Sequence, residues 1–196
     1  MENTKKIYIG DRQVGPGEPT FIIAEIANNH NGSVERAKEL VDVAVEAGAD
    51  VVKFQKRTME ELYTPDFLHN PNKGEHELHY MVPVLKEFEL SMEEMRELRR
   101  YCGDKNIMFM VTPWDIPSAD FVESLNVEVY KAGSPDMTNM PLIEYMVGKG
   151  KPLIISTGMS TEEEVKITLA RLDELGAEYG VLHCNSTYPA PVDQLN

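Results

Sequence analysis

The sequence predicts an α/β fold of the parallel (β/α)8 TIM-type barrel class, reached here through about six βα strands behind a short N-terminal hairpin. Two observations predict it. Apolar runs of strand length alternate with amphipathic helical stretches, and each run is near-continuously apolar, as a strand buried on both faces reads. The first βα turn carries neither GxGxxG nor GxxxxGKS, which leaves the nucleotide-binding form of the open doubly wound sheet without support.

The hairpin reads as KIYIG followed by DRQVG, with Pro16 and Gly17 turning the chain. Six strands are then expected at 21 to 27, 51 to 55, 107 to 113, 127 to 133, 152 to 158 and 179 to 187. Ser33 caps the first helix, whose apolar face is Ala37, Leu40, Val41, Ala44 and Val45 and which Gly48 ends. Ser91 with Glu94 forms a capping box before the next long helix, and Ser160 with Glu163 does so before the last. Shorter helices fit 116 to 125 and 141 to 149. The connection between Gln55 and Ser91 is exceptional in length, and Pro65, Pro71, Gly74 and Pro83 predict a loop with little regular structure there. A full barrel needs eight strands, so residues 1 to 196 are expected to form a single, partial barrel domain, an open arc with exposed edges.

Composition narrows the function. With 42% hydrophobic and 27% charged residues, the 196-residue chain has the makeup of a globular domain. A formal charge of −14 with scattered lysines and arginines opposes nucleic acid and anionic membrane surfaces as partners. Cys102 and Cys184 lie far apart without metal-type spacing, which fits a reducing compartment. The polar N-terminus lacks the apolar core of a signal peptide, and no run approaches the ~18 apolar residues of a membrane span. The expected location is cytoplasmic.

In a β/α barrel the active site gathers at the C-terminal ends of the strands. Polar residues concentrate there: Glu25 and the NNHNG loop, Lys53 and Gln55, Thr112, Lys131 and Ser134, Ser156 and Thr157, then His183, Asn185, Ser186 and Tyr188. A lysine interrupting an apolar run is costly to bury alone, so Lys53 and Lys131 call for anionic partners. Lysines with Ser and Thr donors make a cradle for a small phosphorylated or carboxylated anion. Glu25 serves equally as a ligand for loop amides, and Thr112, Ser156 and Ser186 as strand ends or caps. His30 reads as a brace of its loop and His183 as a hydrogen-bonded core residue. His69, His76 and His79 in the long connection are a weaker candidate metal group.

The stretches FIIAEIANNHNG, AGADVVKFQK, VYKAGSPD, IISTGMS and LHCNSTYPAP, in that order, resemble the sialic acid synthase (N-acetylneuraminate synthase) family over essentially the whole chain. The resemblance implies a β/α barrel that condenses phosphoenolpyruvate with an N-acylated mannose-type amino sugar, releasing phosphate, with a divalent metal, manganese or magnesium, and a homodimeric assembly. It implies catalytic roles for Glu25, Lys53 and Lys131. Thr112, Ser134, Ser156 and, less closely, Ser186 match its phosphoenolpyruvate contacts, and Tyr188 the residue that meets the sugar. In full-length members two histidines, in motifs like SDHT and KHF, hold the metal. Neither motif lies in these 196 residues, and neither does the C-terminal antifreeze-like domain. None of the metal ligands is therefore expected here, and the segment is expected to be inactive alone. Other readings stay open: another phosphoenolpyruvate-condensing barrel, a Schiff-base aldolase using Lys53 or Lys131, or a non-catalytic binding or assembly module derived from the enzyme.

Overall fold

The computed structural model describes residues 5–70 and 78–195. The opening hairpin pairs β1 (Ile7–Ile9) with β2 (Arg12–Val14) antiparallel, Ile7 opposite Val14. Its turn needs Gly10, whose φ of 57° is left-handed and strains any residue with a Cβ. Beyond it, Glu18 N–H donates to the Gly15 carbonyl at 3.1 Å, so Pro16 and Gly17 turn the chain as expected.

The chain divides into two compact units, Phe21–Val127 and Met1–Thr20 with Glu128–Asn196. In the first, β3 (Ile23–Glu25), β4 (Val51–Lys56) and β5 (Met108–Pro113) are parallel, with Glu25 beside Lys53 and Gln55 beside Thr112. In the second, β6 (Tyr130–Ala132), β7 (Leu153–Ser156) and β8 (Tyr179–Leu182) are parallel, with Lys131 beside Ile154 and Ser156 beside Leu182. Strand order follows chain order within each unit, and helices join successive strands. This is the βα pattern the sequence predicts.

The helices follow from their caps and apolar faces. Helix α1 (Val34–Glu46) starts at Ser33, whose hydroxyl accepts from Arg36 N–H, and buries Val34, Ala37, Val41 and Ala44. Val45, expected on that face, is exposed, and Val34 takes its place. Helix α5 (Met92–Asp104) carries the Ser91–Glu94 capping box and buries Met95, Leu98 and Cys102. Helices α6 (Ile116–Ser124) and α7 (Met140–Val147) lie where expected. Helix α8 (Glu162–Glu174) is capped one residue later than expected, by Thr161 with Glu164. Both frames of the STEEE stretch satisfy the capping pattern. Thr161 has the extended backbone, and Glu164 bonds both its N–H and its hydroxyl at 2.8 Å.

The outer strands differ from expectation. β3 ends at Glu25 because Ala27 turns to a φ of 47°, and the N–H groups of Ile26 and Ala27 both donate to the Lys53 carbonyl at 3.0 Å. β8 stops at Leu182 and is not buried: Val181 and Leu182 are exposed, and among the described residues it is registered to β7 alone. The expectation of burial on both faces holds for β4 through β7, whose runs include Val51, Val52, Phe54, Phe109, Val111, Tyr130 and Ile155. At about 25 cal/mol per Å² of apolar surface removed from water, these residues dominate the core. In the second unit, a Cβ at Gly180 would lie 2.9 Å from Ile154 Cδ1 and 3.7 Å from Ile7 Cδ1. Gly180 thus leaves room for the hairpin to bury Ile7 beside β7 and β8.

The long connection is not the irregular loop expected. It holds α2 (Met59–Leu62), α3 (Pro65–His69) and α4 (Leu78–Phe88). Pro65 sits at the first position of α3, where a missing N–H costs nothing, and Pro83 is accommodated within α4. Pro71 and Gly74 lie outside the described residues. The two ends of the connection meet at Glu89. Its Oε1 accepts from Lys56 Nζ at 2.7 Å and from Arg57 N–H at 3.0 Å, while Lys56 also donates to the Leu90 carbonyl at 2.8 Å.

Candidate active site

The two lysines that interrupt the apolar runs lie within strands, Lys53 in β4 of one unit and Lys131 in β6 of the other. Lys53 is 6% exposed, and its ammonium lies 2.6 Å from Glu25 Oε2 and donates to Thr112 Oγ1 at 3.1 Å. Register explains the meeting, since β4 places Lys53 beside Glu25 and Thr112 projects from the neighbouring β5. The Glu25 side chain is 49% exposed, so this ion pair has one buried and one wet member.

Lys131 is 4% exposed and donates to Ser156 Oγ at 2.6 Å and to the Ala132 carbonyl. It interacts electrostatically with Asp136, a residue that the sequence reading passed over. Asp136 ends the 3-10 turn Ser134–Asp136, is 7% exposed, and accepts through Oδ1 from Asn139 Nδ2 at 3.0 Å. Its Oδ2 is buried without a hydrogen-bond partner. Burial pushes its carboxyl above the usual range against the opposing pulls of Asn139 and Lys131. The signal available in the sequence was an acid following YKAGS so closely that the strand end must bury it.

A third arrangement surrounds Gly158. Its N–H donates to Ser134 Oγ at 3.1 Å, and its carbonyl accepts from Ser186 Oγ at 2.6 Å. Thr157 ties the end of β7 to that of β8: its hydroxyl donates to the Leu182 carbonyl at 3.1 Å and accepts from Cys184 N–H at 3.4 Å. Thus Lys131 meets Ser156, and Ser134 meets Ser186 through Gly158. Tyr188 is not drawn in; it is 95% exposed.

The histidines separate into roles. His30 is buried and accepts from Gly32 N–H through Nδ1 at 3.1 Å, bracing its loop as expected, and burial lowers its pKa. His183 is exposed rather than a core residue, because β8 is itself uncovered. Nδ1 of His69 pairs with the Pro65 carbonyl at 2.6 Å; His76 and the side chain of His79 lie outside the described residues. Among the described residues no group of three or more His, Cys, Asp or Glu side chains is placed to hold a metal ion. Among the described residues, then, no set fits the divalent metal that the resemblance implies.

The NeuB family matches residues 40–196, and the chain belongs to it. It is 37% identical to the N,N'-diacetyllegionaminic acid synthase of Legionella pneumophila over 206 aligned positions, covering 100% of this chain and 57% of that protein. It is 34% identical to the human N-acetylneuraminate-9-phosphate synthase over 194 positions, covering 94% of this chain and 52% of that one. Among solved structures, an N-acetylneuraminic acid synthetase from Leptospira borgpetersenii in complex with citrate superposes with a TM-score of 0.86 at 29% identity, over 98% of this chain and 63% of that chain. The chain spans about half the length of the curated relatives it matches.

Proposed function

We propose that this chain supplies the phosphoenolpyruvate side of a sialic acid synthase-type condensation, joining phosphoenolpyruvate to an N-acylated mannose-type amino sugar. The observation that carries the reading is the repeated pairing of a buried ammonium with a hydroxyl at a strand end, Lys53 with Thr112 and Lys131 with Ser156. Phosphoenolpyruvate is a small trianion with a carboxylate and a phosphate, and charge-assisted hydrogen bonds from buried donors suit both groups. In the proposed reaction C3 attacks the open-chain aldehyde, water adds at C2, and phosphate departs, giving a nine-carbon acid. In one unit Lys53 supplies charge and Thr112 a hydroxyl for an anionic group, and Glu25, half in water beside Lys53, is the carboxylate available to move a proton; in the other unit Lys131 supplies charge and Ser134 and Ser156 hydroxyls. Ser186 and Tyr188 complete the set at the last strand, Tyr188 for the sugar. A divalent metal, manganese or magnesium, a homodimeric assembly and a cytoplasmic setting belong to this reading.

For Lys53 the Schiff-base alternative is less well supported, because its terminal nitrogen is already engaged by Glu25 at 2.6 Å. Calorimetry with phosphoenolpyruvate, alongside borohydride trapping with pyruvate, separates the readings. Saturable binding without a trapped adduct is expected. A covalent pyruvate adduct on Lys53 or Lys131 would replace this reading with an aldolase.

A further inference from the structure

Gly158 is a glycine for reasons of space, since its φ lies outside the left-handed region that other glycines of the chain occupy. A Cβ there would lie 2.9 Å from Ser186 Oγ, 3.0 Å from Ser134 Oγ and 3.2 Å from Cys184 Cβ. The two hydroxyls crowd this residue because they are bonded to its own backbone, Ser134 Oγ to its N–H and Ser186 Oγ to its carbonyl. A serine hydroxyl has one proton to donate and two lone pairs to offer. Ser134 is an acceptor in its bond with Gly158, so its proton is left for another partner. Ser186 donates its only proton to the Gly158 carbonyl.

We infer that Gly158 is a positioning residue that gives the two serines different tasks: it aims Ser134 as the hydroxyl donor to the bound anion and holds Ser186 as a clasp. This rests on the phosphoenolpyruvate reading of the site. It also changes one element of that reading, since Ser186 acts on the β7 turn and not on phosphate. Substitution at 158 removes both functions at once, because any Cβ displaces the oxygens that define the turn.

The test uses the full 196-residue chain, with calorimetry of phosphoenolpyruvate and inorganic phosphate and with NMR of the Gly158 amide and carbonyl. Ser134→Ala is expected to speed hydrogen exchange at Gly158 and to lower phosphoenolpyruvate affinity about tenfold or more. Ser186→Ala is expected to shift the Gly158 carbonyl resonance and lower affinity only about threefold, and Ser186→Thr, which keeps the hydroxyl, to restore both. Gly158→Ala is expected to match or exceed the loss in Ser134→Ala; should it fail to fold, the serine variants decide. A Ser186→Ala loss equal to that of Ser134→Ala overturns the division of tasks, as does an unchanged Gly158 amide in Ser134→Ala. A wild-type chain that binds neither anion sinks the function reading instead, and the ligand-free NMR signatures still decide whether Gly158 is clasped.

Discussion

Lys53 and Lys131 occupy equivalent sequence settings, a cation inside an apolar run, but they meet negative charge differently. Lys53 has a direct carboxylate partner in Glu25, and that partner is half in water. Lys131 is bonded to a hydroxyl and a carbonyl, and Asp136, the carboxylate within its field, is buried. The solvated carboxylate remains a competitor for any anion that approaches Lys53. The buried one is pushed toward its protonated form and competes less. The two lysines are therefore held differently, Lys53 by a half-exposed carboxylate and a hydroxyl and Lys131 by a hydroxyl and a carbonyl.

The largest effect that would break this contrast is on binding. Lys131→Ala is expected to weaken phosphoenolpyruvate binding by about one to two powers of ten, the loss of a charge-assisted contact of roughly 1.5 to 3 kcal/mol. Lys53→Ala is expected to lose less, because it also leaves the competing Glu25 free to turn to water. Equal losses by calorimetry would erase the distinction. Glu25→Gln sharpens it from the other side: removing the competitor is expected to tighten inorganic phosphate binding up to about tenfold. No gain would mean that Glu25 does not stand in the anion's way.

Smaller effects concern stability and reactivity. The folded-state pKa of Asp136 is raised, so the folded chain holds this proton to higher pH than the unfolded chain. Stability from this group is then lost as pH rises above the ordinary value of 3.8, and the buried charge remains a cost at neutral pH. Asp136→Asn is expected to remove that loss, so melting temperatures measured from pH 4 to pH 7 should separate from wild type progressively toward neutrality. A parallel pair of curves would refute the assignment. Least consequential is the thiol contrast. Burial pushes the Cys102 thiol up to about 12, whereas Cys184 is only half-buried. A thiol reagent is expected to modify Cys184 in the native chain and Cys102 only on unfolding.

Where a strand is covered on both faces, as β4 through β7 are, continuity of apolar residues located it, closely for β4 and β5 but too long for β6 and β7, which span only Tyr130–Ala132 and Leu153–Ser156. At the flanks the same signal failed: apolar residues in β8 are exposed, and the extended run around β3 is cut short by the left-handed turn at Ala27. Lys53 and Lys131 stand out in the sequence because a charge in an apolar run is costly to bury alone, whereas Thr112 and Ser156 read equally as strand ends or caps, and only the structure shows them bonded to the lysines. Asp136 and Gly158 were not legible, because their significance depends on burial and on a crowded turn, neither of which leaves a periodic mark. The α8 cap was misplaced by one residue because two overlapping frames carry the same letters. Membership of the NeuB family agrees with the resemblance read from five short stretches.

The Glu89 staple has a consequence for how this chain tolerates change. Because one carboxylate fastens Lys56 and Arg57 at the entry of the connection to its exit, the helices between them form a cassette whose mouth is fixed independently of its contents. Each doubling of the enclosed length adds only about 0.6 kcal/mol of closure entropy. A change of length inside this segment is then expected to leave the strands on either side undisturbed. Glu89, which has no part in the proposed chemistry, is the residue on which that tolerance depends.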